Sequence, residues 1–182
     1  MRLWPWLLAG IALGLILTAR ASAKPAPADG NGGAQLWTDN VSSWLDNLTQ
    51  DAAANERRYR PTIEAAERSY GLPPGLLARL LYQESHYRTD IIRGQKRSTA
   101  GALGIAQFLP ATAADLGIDP LDPVQAIAGA ARYLSTLRGA FGDWKLALAA
   151  YNFGWGNVRQ GRAWPDETVA YVRDISADVG LA

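Results

Sequence analysis

A single carboxylate, Glu84, closes an apolar run in the segment LLARLLYQESHYR at 76–88. Leu77, Leu80 and Leu81 stand seven, four and three residues before it, spacings that share one face of an α-helix. An acid on such a face sits at the rim of a core or in the wall of a cleft. Apolar surroundings disfavour its charged form, and a place near a helix C-terminus disfavours an anion. Both effects raise the pKa, as a general acid working near neutral pH requires. The same pattern also suits a buried glutamate in a structural ion pair with Arg79, Arg88 or another base. Spacing alone does not separate the two.

Two further stretches carry groups that could meet a substrate. GALGIAQFLPATA at 101–113 is poor in side chains before Gln107. Small residues let a polymer approach the backbone, and the Gln107 amide can hydrogen-bond a sugar hydroxyl or N-acetyl group. AAYNFGWGNV at 149–158 adds Tyr151, Asn152 and Trp155 among glycines. Aromatic faces beside small polar groups suit a sugar, and they suit equally a plain aromatic core with Gly154 as a helix cap.

Other chemistries are poorly served. The chain has no cysteine, which removes disulfides, thiolate ligands and a thiol nucleophile. His86 is the only histidine and no D-x-D-x-D-G loop occurs, so neither a metal nor a cofactor is expected. Ser85 has a histidine only as its immediate neighbour, which no serine triad can use. A formal net charge of +1 over 182 residues leaves no electrostatic footprint for nucleic acid.

The elements that must position these groups read as helices. Pro61 suits a first helical turn and Gly71 a stop, bounding PTIEAAERSYG. Pro74, Pro110, Pro123 and Pro165 open further helical patterns; Gly117 and Gly180 close two of them, and Asp143 is placed to cap DWKLALAAYN. No run alternates as a strand does. TDIIRGQKRSTAGALG at 89–104 is the one stretch where a short β-hairpin would fit. The expected class is therefore mostly α, with one domain over 56–182.

Ahead of it, residues 1–23 combine Arg2, an apolar run from Leu3 to Ala19 and the tripeptide Ala21-Ser22-Ala23. This is the pattern of an export signal cleaved after Ala23, or of a retained membrane anchor. Residues 24–55 begin as a Pro/Gly/Ala-rich linker and include LWTDNVSSWLDNLTQ, which has the spacing of a short amphipathic helix. The expected location is the periplasm or cell envelope, with membrane contact only through the N-terminal segment.

The motifs QESHYR, GALGIAQFLPATA, LDPVQAIAGAARYL, LALAAYNFGWGNV and ETVAYVRDI, in that order, resemble the soluble-type lytic transglycosylases, built on the goose-type lysozyme fold. The resemblance covers about Tyr59 to Ile175. It implies a mostly α, lysozyme-like domain acting on peptidoglycan glycan strands without a cofactor. Glu84 matches the family's one catalytic acid, and Ser85 its neighbour, which the resemblance implies is substrate-binding. Gln107, Tyr151, Asn152, Glu167 and Tyr171 match positions lining the substrate cleft. The implied reaction breaks the bond between N-acetylmuramic acid and N-acetylglucosamine without water and leaves a 1,6-anhydro ring. A secretion, conjugation or phage assembly is the kind of partner it implies.

The chain departs from the family pattern at Ile105-Ala106, where Leu-Met is usual, at Phe153, where Ala is common, and in the basic insert RGQKRST. Two other functions fit the same motifs. One is a goose-type hydrolase of the same bond, with Asp90 or another acid positioning water. The other is a peptidoglycan-binding or assembly component with little catalysis.

Overall fold

The computed structural model describes residues 32–181, with side chains from Asp51 onward. The export or anchor segment 1–23 lies outside the described residues. Helix α1, Gly32–Tyr70, is 39 residues long and takes in the segment expected as a separate short helix. It also runs through Pro61, where the sequence suggests a helix start. An interior proline removes one helical hydrogen bond and costs about 3 kcal/mol. Here packing on both sides of Pro61 outweighs it. Ala52 and Tyr59 before it pack against the core, and Ile63 and Ala66 after it are buried in it. Helix α1 thus crosses the expected boundary at residue 55 without interruption.

Gly71, at φ 67°, ends α1, and the Leu72 amide turns back to the Glu67 carbonyl, as a left-handed C-terminal turn requires. The chain then enters α2, Leu76–Ser85, which begins two residues after Pro74. Its N-terminus has no side-chain cap of its own. Instead the Glu67 carboxylate of α1 accepts from the Gly75, Leu77 and Ala78 amides at 3.0, 2.9 and 3.3 Å. A negative group at a helix N-terminus satisfies orphan amides and complements the dipole.

The segment expected to hold a hairpin instead forms a one-turn helix, α3, Thr89–Ile92, followed by turns. Among the described residues strand pairing shrinks to a single antiparallel bridge between Leu103, inside 89–104, and Phe108 just beyond it. The four residues Gly104 to Gln107 are folded into the tight loop between them. Gly94, Gly101 and Gly104 all take positive φ here, and so broken a backbone cannot sustain a ladder.

The remaining helices are α4, Pro110–Leu116; α5, Pro123–Phe141; α6, Trp144–Phe153; α7, Trp155–Arg159; and α8, Asp166–Val179. Asp122 caps α5 through the Val124 and Gln125 amides, with Pro123 in its first turn. Asp143 caps α6 through Leu146. The short α7 has no counterpart among the expected elements, because Gly154 reads only as a helix stop. Helix α6 is central, packed on α5, α7 and α8, and Ala147, Leu148, Ala149 and Ala150 are all fully buried. Leu76, Leu77, Leu80 and Leu81 of α2 join the same core with Ile127, Leu134 and Leu137 of α5 and Ile175 of α8. Among the described residues no helix is long and apolar enough to cross a membrane.

Candidate active site

Glu84 sits in the last turn of α2, on the face made by Leu77, Leu80 and Leu81, and keeps an accessible edge. Among the described residues, the structural ion pair open to it in the sequence does not form. Arg79 is engaged by Asp178 and Gln83, and Arg88 by Asp90. In their place Tyr171 of α8 donates its hydroxyl to Glu84 Oε1 at 2.7 Å. The Glu84 pKa is pushed up from 4.5 to about 7. Removal from water is the main cause; the Tyr171 hydrogen bond works against it, and the negative charge of Glu167 adds to it.

Glu167 and Tyr171 are one turn apart on α8, so one helix presents to Glu84 both a donor and a like charge. The Tyr151 and Tyr171 hydroxyls are held well above their ordinary pKa, mainly by burial and next by the charge of Glu84. Both stay neutral donors wherever Glu84 titrates.

Tyr151, in the last turn of α6, donates to the Ala106 carbonyl at 2.9 Å. It also packs on Phe108 and Tyr133, with ring centroids 5.9 and 5.6 Å apart. The aromatic core and the tight loop are thereby tied together beneath the site. Ile105 and Ala106 are fully buried, so both residues of the Leu-Met departure point inward. The next residue, Gln107, adopts the left-handed conformation at φ 48°. Its Nε2 donates to the Gly104 carbonyl at 2.9 Å, which aims the amide and leaves its carbonyl oxygen for a donor. Asn152 accepts from Thr168 at 2.7 Å, joining α6 to α8. Phe153, the other departure, packs partly buried against the core.

Ser85 differs from the substrate-binding role that the resemblance implies. It is fully buried. Its hydroxyl donates to the Leu81 carbonyl at 2.9 Å and accepts from the Tyr87 amide at 3.2 Å, so it closes the helix and has no face for a sugar. Asp90, the acid suspected in the hydrolytic alternative, spends both oxygens on Arg88, at 3.1 and 2.6 Å, and one also on the Ile91 amide. The second carboxylate that acts on Glu84 is Glu167. Sequence reasoning missed Glu67 and Thr168 as supports, since each acts on a partner distant in sequence and neither lies in a pattern of its own.

A carboxylic acid whose pKa is raised to about 7, with an accessible edge and two neutral phenols nearby, can deliver a proton to a bound oxygen and take one back. The chain belongs to the transglycosylase SLT domain family, which matches residues 61–168. It is 40% identical over 114 residues to membrane-bound lytic murein transglycosylase F 1 of Alkalilimnicola ehrlichii, over 58% of this chain and 22% of that protein. It is 35% identical over 123 residues to the transglycosylase of phage PRD1, over 66% of this chain and 42% of that protein. Its fold is that of the lytic transglycosylase Slt of Pseudomonas aeruginosa, solved as an inactive mutant. The TM-score is 0.53 at 29% identity, over 64% of this chain and 22% of the other. The expected mostly helical, lysozyme-like architecture is the one found. The chain thus spans less than half the length of these relatives.

The Tyr171 contact sets a pH dependence. With Glu84 in the role of general acid proposed below, which works while protonated, activity should fall as pH rises through about 7. Tyr171→Phe removes a hydrogen bond that favours the charged form and should move this alkaline limb to higher pH. Profiles of kcat/KM against pH for the two proteins check it; a limb that stays in place or moves down contradicts the assignment.

Proposed function

We propose that this protein is a peptidoglycan lytic transglycosylase, exported to the periplasm or cell envelope by residues 1–23. The observation that carries the reading is one accessible carboxyl group, Glu84, protonated near neutral pH by its burial. Ordinary glycosidases divide the work between two carboxylates. Here Glu84 does both parts. It donates its proton to the glycosidic oxygen as the bond from the muramic acid anomeric carbon breaks. The carbonyl of the same sugar's N-acetyl group stabilises the cation that develops. Glu84, now a carboxylate, takes the proton from that sugar's 6-hydroxyl, whose oxygen closes the 1,6-anhydro ring. The proton count is restored and no water enters.

Burial, with a smaller contribution from the charge of Glu167, favours the protonated form of Glu84 at the start, and Tyr171 supports it once charged. Gln107, Tyr151 and Asn152 are the residues expected to meet the glycan strand beside Glu84. The lytic murein transglycosylases among the relatives support the substrate class. The phage relative fits a role beside a phage, secretion or conjugation assembly. Mass spectrometry of muropeptides released from peptidoglycan tests the reading. They should end in 1,6-anhydromuramic acid, one water lighter than the hydrolytic product. Release of reducing-end muramic acid would favour hydrolysis, and no release at all would favour a binding component.

A further inference from the structure

The turn that follows Glu84 is unusual. His86 and Tyr87, neither of them glycine, both take left-handed backbone conformations, at φ 49° and 53°. That region is sparsely populated by residues with a Cβ and persists only where the surroundings over-determine it. Three contacts do so. Ser85 Oγ accepts from the Tyr87 amide, and the Tyr87 hydroxyl reaches back to the Ala78 carbonyl at 2.8 Å. The third comes from α1: Asn55 Nδ2 donates to the Tyr87 carbonyl at 2.9 Å and to Thr89 Oγ1 at 2.9 Å.

Helix α1 therefore grips α2 at both ends, with the polarity each end needs. Glu67 supplies an acceptor to the amides at its start, and Asn55 a donor to the carbonyl just past its end. The two grips are twelve residues apart on α1, and Gly75 and Tyr87 are likewise twelve apart. On α1 that spacing is about 18 Å of helix. Asn55 lies upstream of the family match, which begins at residue 61, in the stretch that reads from sequence as the end of a linker.

We infer that Asn55 is a positioning residue for Glu84. By holding the left-handed turn at Tyr87 it fixes the last turn of α2, and so the place of the carboxyl group against Tyr171. The inference rests on the reading of Glu84 as the general acid. Misplacing a reacting group by about 1 Å can cost a hundredfold in rate.

The test is steady-state cleavage of a soluble peptidoglycan glycan oligomer. The proteins compared are the wild type, Asn55→Ala, Asn55→Asp, His86→Gly, the double variant Asn55→Ala/His86→Gly, and Glu84→Gln. Asn55→Asp keeps the shape but sets an acceptor against the Tyr87 carbonyl, so it breaks the hydrogen bond at unchanged volume. Both Asn55 variants should lose roughly ten- to a hundredfold in kcat with KM within about twofold of wild type. Glycine accepts positive φ without a Cβ penalty, so His86→Gly should be near wild type and should restore much of the kcat lost in Asn55→Ala. A purely structural role for Asn55 predicts no such rescue. Absence of rescue, or wild-type kcat in both Asn55 variants while Glu84→Gln is inactive, overturns the positioning role alone. Full activity in Glu84→Gln overturns the reading of the site beneath it.

Discussion

Glu84→Gln should bring peptidoglycan turnover close to background while leaving the fold intact. Losing a general acid costs a factor of about 10² to 10⁴ by itself. In the proposed reaction the same group must also recover the proton from the 6-hydroxyl, so the second step fails with the first. Glutamine keeps the size and an oxygen for the Tyr171 hydroxyl, so substrate can still bind. A further signature distinguishes lost chemistry from lost structure. The folded-state pKa of Glu84 is raised from 4.5 to about 7, so the folded protein holds this proton more tightly than the unfolded chain. Stability therefore falls as pH climbs through that window, and above it the native state carries a charged carboxylate in apolar surroundings. Glu84→Gln removes that penalty. Its melting temperature should equal or exceed wild type at pH 8, with the gain shrinking toward pH 4. Residual turnover within tenfold of wild type would mean that Glu84 is not the acid.

Gly104→Ala should have the largest effect on stability. Gly104 opens the tight loop that carries Gln107 and takes φ 73°. A Cβ there would stand 1.8 Å from the Pro120 carbonyl oxygen, which is backbone and cannot swing aside. Positive φ and a main-chain collision act together, and each alone is unfavourable for alanine. Destabilisation of at least about 3 kcal/mol is expected. It should appear as a large drop in the urea midpoint, with loss of activity in the protein that remains folded, because the Ala106 carbonyl is pushed off the Tyr151 hydroxyl. A midpoint within error of wild type would show that the loop can move away from Pro120.

Much of this arrangement is legible in the chain because local signals and packing agree. The α5 and α6 starts follow from Pro123 and Asp143: Pro123 stands in the first turn of α5, and the Asp143 carboxylate caps α6 as its position suggests. The Leu77–Leu80–Leu81 stripe places Glu84 correctly on a desolvated face for the same reason. Pro61 misleads because a proline's cost is local, whereas the packing that carries α1 through it comes from α2 and α5. Ser85 misleads because adjacency to Glu84 in sequence says nothing of direction; on a helix the next residue turns about a quarter of the way round, here into the core. The choice between ion pair and free acid at Glu84 could not be read from spacing, since Arg79 and Arg88 are both within reach on their own segment. What removes them are Asp178, 99 residues from Arg79, and Asp90, whose geometry depends on the turn after α2. Asn55 and Glu67 are silent in sequence because each matters only through the helix it grips.

The central claim is that Glu84 alone moves the proton both ways and that water takes no part. Digestion of peptidoglycan in ¹⁸O-labelled water, with the muropeptides weighed as they form, tests it most directly. Products ending in 1,6-anhydromuramic acid, with no label at the muramic acid anomeric carbon, are the predicted result. Products one water heavier and carrying ¹⁸O at that carbon would contradict the account. They would make Glu167, the carboxylate that acts on Glu84, the group to suspect of activating the water.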